Sequence, residues 1–193
     1  MGRYCADSGA VKMFRKEALK LLEERLKNKN LIKHSLAVEA CMRRLAKEFG
    51  EDQDLWGLAG LLHDLDYEET KDDFSQHGFV TAEILKERGI NEEVIEAIKS
   101  HPGHIERKTK MAKALYAVDP LTGLIVASAL MHPEKSLRAL DVKFVLNRFK
   151  EKSFARGANR EQIRSSQELG ITLSEFISIC LEAMKGISEE LGL

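Results

Sequence analysis

Apolar residues recur at helical spacing along almost the whole chain. Phe14, Ala18, Leu21, Leu22 and Leu26 form a first stripe, and the spacing predicts a helix there. Asn28 to Asn30 reads as a turn. His34, Ala37, Val38, Cys41, Leu45 and Phe49 form the next stripe, closed by Gly50. A third stripe, Leu55, Leu58, Ala59 and Leu62, ends near His63-Asp64 and gives way to an acidic loop from Asp64 to Asp73. A fourth helix is predicted from His77 to Arg88, stopped by Gly89. A fifth is predicted from Asn91, a suitable N-cap, to Ser100, stopped by Pro102-Gly103. A sixth spans Lys108 to Val118. Pro120 interrupts the pattern, so Leu121 to Met131 is expected as a separate or kinked helix. Beyond Pro133 a helix is predicted over Asp141 to Phe149. Capping-box patterns follow at Asn159 to Gln162 and at Thr172 to Glu175, and the second opens a last stripe that reaches Ile187. Strand alternation, internal repeats and low-complexity linkers are all missing from the sequence.

Composition supports an all-α chain. Of 193 residues, 44 % are hydrophobic and 32 % charged, which suits a packed core rather than disorder. The length predicts one helical domain over 13–193, preceded by an unpatterned lead over 1–12. A net charge of −1 argues against binding nucleic acid through bulk charge, so no DNA or RNA partner is expected. The oligomeric state is left open. Cys5, Cys41 and Cys180 are odd in number and form no CxxC, so a reducing, cytoplasmic setting without disulfides is expected. Met1 to Lys16 lacks the apolar run of a signal peptide, and Leu121 to Met131 is too short to span a bilayer; no membrane partner is expected.

Charge is distributed unevenly. Glu51 to Ser100 carries fourteen acids against four bases, and Arg138 to Arg164 carries eight bases against three acids. The basic block is a candidate for attracting a phosphate-bearing ligand, although solvated helix faces of opposite sign give the same pattern. Within it, Arg156 and Arg160 flank the turn before a helix N-terminus and are candidate anion contacts.

The candidate chemistry lies in histidines on apolar faces. His34 precedes Ala37 and Val38 by three and four residues, and His63 closes the Leu-rich helix. His77 shares a face with Val80 and Ile84, and His101 follows Val94 and Ile98. Asp119 falls on the apolar side of its helix, four residues after Leu115. A single inward histidine is ordinarily a satisfied core group. Several imidazoles and carboxylates turned inward from different segments are costly unless paired or bound to metal. Facing helices build metal sites in this way. His63 and Asp64 are neighbours, about 100° apart on a helix, and both reach one point only where the helix ends.

The strings KHSLAVEA around His34, AGLLHDLDY around His63-Asp64, HGFVTAEIL at His77, SHPGH at His101 and YAVDPL at Asp119 resemble the HD-domain metal-dependent phosphohydrolase superfamily, HDIG type. The resemblance covers about residues 31–129, with the helices of about 136–193 as a C-terminal extension to the bundle. It implies the metal ligands His34, His63, Asp64, His77, His101 and Asp119. His104 competes with His101, which is preferred for its place on the helical face. Asp64, His63 and Asp66 are the candidate catalytic residues, Asp66 as a further ligand, a general acid or a loop cap. Lys33, Lys71, His104, Arg107, Arg156 and Arg160 are candidate substrate contacts.

The implied cofactor is one or two divalent transition-metal ions; imidazole and carboxylate donors suit Fe, Mn, Co, Ni or Zn alike. The implied reaction is hydrolysis of a phosphate ester or anhydride of a small nucleotide-like substrate by metal-activated water, with Asp64 bridging two ions. Two alternatives belong to other classes: a non-catalytic nucleotide-sensing or partner-binding module, and a di-iron oxygenase. Walker, Rossmann, HExxH and GxSxG signatures are not found in the sequence.

Overall fold

The stripes fold as helices whose apolar faces meet. The computed structural model of the protein describes residues 10–193, so the expectations for Cys5 and most of the N-terminal lead lie outside the described residues. The helices are α1 (Arg15–Arg25), α2 (Lys29–Phe49), α3 (Gln53–Leu62), α4 (Tyr67–Thr70), α5 (Phe79–Glu87), α6 (Glu92–Ser100), α7 (Lys110–Met131), α8 (Val142–Lys150), α9 (Arg160–Arg164), α10 (Leu173–Lys185) and α11 (Ser188–Leu191). No strand occurs among the described residues, in agreement with the all-α expectation.

Helix α2 is the central element. It packs on α3, α7 and α10, while α6 packs on α3, α5 and α7. Val38, Met42 and Leu45 of α2 are fully buried with Leu62, Ile98, Leu115 and Phe176. Burying each such side chain contributes roughly 1.5–3 kcal/mol. Gly60 sets the closest approach of α3 to α2: a Cβ there would meet the Val38 carbonyl oxygen at 2.9 Å. This contact brings the end of α3, and with it His63, up to His34. Glu39, only 3 % exposed, is paired with Arg15 at 2.7 Å and Arg43 at 2.9 Å, which ties α1 to α2. Cys41 and Cys180 are free thiols buried between α2 and α10, as core residues.

Four local expectations change. Asn28 is not in a separate turn; its side chain accepts from the Asn30 amide and caps α2. The acidic loop contains a helical turn, α4. Asn159 caps α9 through the Glu161 and Gln162 amides, without the reciprocal bond of a capping box, whereas Thr172 and Glu175 form the complete box. Helix α7 runs unbroken from Lys110 to Met131 with Pro120 inside it. A mid-helix proline costs about 3 kcal/mol. Leu115, Val118, Leu121, Leu124 and Ile125, fully buried on both sides of it, outweigh that cost. By length and composition alone α7 could cross a membrane, but most of its apolar residues are packed into this bundle, with Leu130 and Met131 exposed at its end. Of the N-terminal lead, Val11 donates its amide to the Gly89 carbonyl at 2.7 Å.

Candidate metal centre

Four helical segments and one loop deliver the inward histidines and acids to one point. His34 comes from the first turns of α2, His63 and Asp64 from the end of α3, His101 from the end of α6, and Asp119 from the middle of α7. His77 is not on a helix, contrary to expectation. It has an extended backbone just before Gly78, the left-handed N-cap of α5. Gly78 has φ of 82°, and a Cβ there would meet the Ile98 carbonyl oxygen at 2.8 Å. Only glycine lets this segment lie against α6 and bring His77 beside His101.

Every one of these four imidazoles is oriented through Nδ1. His63 Nδ1 meets the Gly60 carbonyl at 2.8 Å, and His101 Nδ1 meets the Ile98 carbonyl at 2.6 Å. His77 Nδ1 meets Asp66 Oδ1 at 2.8 Å. His34 Nδ1 meets Thr122 Oγ1 at 3.1 Å, and that hydroxyl already donates to the Asp119 carbonyl. Each acceptor therefore holds a proton on Nδ1 and turns the Nε2 lone pair toward the common point.

The inward atoms crowd together. His34 Nε2 is 3.2 Å from His63 Nε2, and His77 Nε2 is 3.1 Å from His101 Nε2. Lone pairs that face each other at this distance repel unless a proton or cation lies between them. Asp119 Oδ1 is 3.1 Å from His34 Nε2. Asp64 spans the cluster: its Oδ2 is 3.5 Å from His34, and its Oδ1 is 3.2 Å from His77 and 3.4 Å from both His63 and His101. Donors about 2.1 Å from one ion lie roughly 3.0–3.4 Å apart at octahedral and tetrahedral angles. The set His34, His63 and Asp119 and the set His63, Asp64 and His101 each keep their donor atoms within 4.8 Å of one another. Imidazole nitrogen and carboxylate oxygen fit a divalent metal in both donor set and spacing.

Electrostatics follow from this crowding. Burial pushes His63 down to about 4, so it stays neutral. Burial also opposes charge on His77, but hydrogen bonds to Asp64 and Asp66 raise it to about 9. His34 is raised as well, since Asp119 and Asp64 outweigh its burial. Burial alone would raise Asp64, but the surrounding histidines hold it well below the usual carboxylate range, and His34 does the same for Asp119.

The remaining candidates lie around this cluster in other roles. Asp66 is fully buried and accepts the amides of Gly78 and Thr81, both at 2.9 Å, as well as His77 Nδ1. These contacts match the loop-cap alternative expected for it and hold His77 in place, with both oxygens turned to the loop. His104 is exposed and bonded to the Phe74 carbonyl at 2.9 Å; His101 is the residue in the cluster. Arg107 stacks 3.8 Å above the Tyr116 ring and pairs with Glu168 at 3.6 Å, so it is held away from the phosphate-clamp role expected of it. Arg160 directs its guanidinium at six backbone carbonyls, those of Arg148, Phe149, Glu151, Phe154, Ala155 and Ala158. All of its donors are engaged in clamping that loop, and the anion-site expectation for Arg160 fails. Lys71 and Arg156 are exposed, with no hydrogen bond or ion pair among the described residues. Lys33 donates to the Leu191 carbonyl at 2.8 Å and lines a cavity with His34. Trp56 is buried near Phe49 and packs, as expected.

Sequence reading missed Thr122 and Thr81. Thr122 follows Asp119 by three residues and Thr81 follows His77 by four, but a threonine at such a spacing is too common to signal a supporting role.

A model of the HD domain family matches residues 31–144. Ribonuclease Y of Acetivibrio thermocellus is 28 % identical over 165 residues, which is 84 % of this chain and 32 % of that protein. Ribonuclease Y of Enterococcus faecalis is 29 % identical over 165 residues, with the same shares. Ribonuclease Y of a Sulfurovum species is 36 % identical over 93 residues, 48 % of this chain and 18 % of that protein. The chain spans about a third or less of the length of these relatives. They are ribonucleases by name, which overturns the expectation of no RNA partner and of a small nucleotide as substrate.

Proposed function

The chain belongs to the HD domain family, and from that premise we propose that it is a metal-dependent phosphodiesterase that hydrolyses phosphodiester bonds of RNA. One observation carries the reading: the Nε2 atoms of His34, His63, His77 and His101 converge on Asp64 and Asp119, with every Nδ1 tied to an acceptor. A non-catalytic sensor has no use for a complete and oriented donor set. The ribonuclease relatives support the substrate class.

His34, His63, Asp64 and Asp119 would hold one divalent ion and Asp64, His77 and His101 a second. When bound, such ions supply Lewis acidity at phosphoryl oxygens and lower the pKa of water. The chain's own residues do the rest. Asp64 reaches both groups of imidazoles, with Oδ2 toward His34 and Oδ1 toward His63, His77 and His101. His63, His101 and His77 close the buried side against solvent. His34 and Asp119, whose side chains are 22 % and 28 % exposed, form the open edge at which a phosphodiester enters.

The test is metal analysis of the purified protein followed by a panel of an oligoribonucleotide, mono- and dinucleotides and cyclic dinucleotides with Mn, Co, Ni, Fe and Mg in turn. The expected result is metal-dependent cleavage of the oligoribonucleotide. Failure to bind any transition metal, or oxygen consumption without phosphodiester cleavage, would overturn the reading.

A further inference from the structure

Two cavities meet at the open edge of the metal centre. The larger, about 460 Å³, lies between α2, α7 and α11 and is lined in part by Lys33, Ala37, Val126 and Leu191. The other, about 320 Å³, lies between α7 and the loop carrying Ala155, Gly157 and Ala158. Both touch His34 and Gly123, and the second also touches Asp119. Ligand pockets typically enclose about 300–1,000 Å³, so each is large enough for a nucleoside-sized group.

Gly123 lies in the interior of α7, where glycine costs roughly 0.5–1 kcal/mol relative to alanine. Neither backbone geometry nor packing accounts for it. Its φ is not positive, and a Cβ there would meet no atom within 4 Å. The residue is small where the surface it forms is open, on the line that joins the two cavities beside His34.

Resting on the phosphodiesterase reading above, we infer that Gly123 is the saddle of a two-armed substrate groove that takes an internal phosphodiester, with one nucleoside in each cavity and the phosphate at His34 and Asp119. The arms differ in character. The larger is walled by Ala37, Val126 and Leu191, with the Lys33 ammonium at its edge, and suits a base with its polar rim. The smaller is walled by Ala155, Gly157 and Ala158 with Pro120, and its small residues leave room for the sugar-phosphate backbone of the second nucleoside. Arg160 positions this second wall by holding the carbonyls of Ala155 and Ala158. A groove of this form favours a phosphate with substituents on both sides over a terminal phosphate.

The experiment compares wild type, Gly123→Ala and Gly123→Leu. Binding of a fluorescent 2′-O-methyl oligoribonucleotide is read by anisotropy, alongside cleavage of the unmodified strand, bound metal and melting temperature. Gly123→Leu should weaken binding at least about tenfold and raise KM, with bound metal unchanged and a melting temperature equal to or above wild type. Gly123→Ala should fall between. If wild type cleaves the oligoribonucleotide and Gly123→Leu binds and cleaves it equally well, the groove is refuted and the phosphodiesterase reading stands. A Gly123→Leu protein that has lost its metal also refutes the groove, because the damage is then to the centre itself. If metal-loaded wild type cleaves no phosphodiester, both readings fall together.

Discussion

Asp66 accepts the Nδ1 proton of His77 at 2.8 Å while two backbone amides, of Gly78 and Thr81, hold its other oxygen. The carboxylate is fully buried and faces away from the Nε2 cluster. It fixes a histidine that has no helix of its own to orient it, and so does for His77 what the Gly60 and Ile98 carbonyls do for His63 and His101.

Asp66→Asn should therefore weaken metal binding rather than remove a proton donor. An amide cannot match a carboxylate at all three of these donors, and the loss of such an orienting partner typically costs about 10–100-fold in affinity. Metal titration of the variant checks this. Unchanged affinity together with abolished cleavage would restore Asp66 to a catalytic role.

Asp64→Ala should abolish cleavage and lower bound metal while leaving helical content close to wild type, because only this carboxylate reaches both groups of imidazoles. Removing it relieves a buried charge as well as deleting a partner of His77, so the fold is not expected to collapse. Activity assays with metal analysis and circular dichroism decide the matter; full activity would remove Asp64 from the centre.

The metal-free protein should show a stability maximum near neutral pH. His77 is raised from an ordinary value of 6.5 to about 9, so its contribution is complete below pH 6.5 and is lost as pH rises through 9. His63 is lowered to about 4, so the unfolded chain binds a proton that the folded chain refuses, and stability falls as pH drops from 6.5 toward 4. A divalent ion bound at His77 replaces its proton. Binding should then release protons at pH 7.5 and strengthen up to pH 9. Melting curves with and without chelator, and calorimetry in buffers of different ionisation enthalpy, measure both effects; a metal affinity independent of pH over 7–9 would contradict them.

Arg160→Ala should act first on the loop between α8 and α9. Six carbonyls lose their donor, and charged hydrogen bonds of this kind contribute about 1.5–3 kcal/mol each when well formed. Faster limited proteolysis over residues 151–158 and a lower melting temperature are expected. A variant with wild-type stability and only a raised KM would instead make Arg160 a direct substrate contact.

The helices and the inward-facing histidines and acids were legible in the sequence because both depend on local spacing. An imidazole on the apolar stripe of α2, or at the end of the apolar stripes of α3 and α6, must point into the bundle wherever the bundle forms. The same holds for Asp119 on α7. The continuity of α7 was not legible, because burial on both sides of Pro120 decided it against the local preference. His77 looked helical by its spacing to Val80 and Ile84, yet the contact of Gly78 with α6 holds it in an extended segment.

By itself the sequence determined which residues carry donor atoms and which faces turn inward, since side-chain direction within a helix is set by neighbours three and four residues away. Tertiary structure decided which nitrogen of each histidine faces the cluster, which carboxylate touches all four imidazoles and which one only holds His77, and on which side the cluster opens. Those outcomes rest on single contacts between distant positions, such as Thr122 with His34 across 88 residues, and a contact formed only when two helices dock leaves no periodic trace in either one.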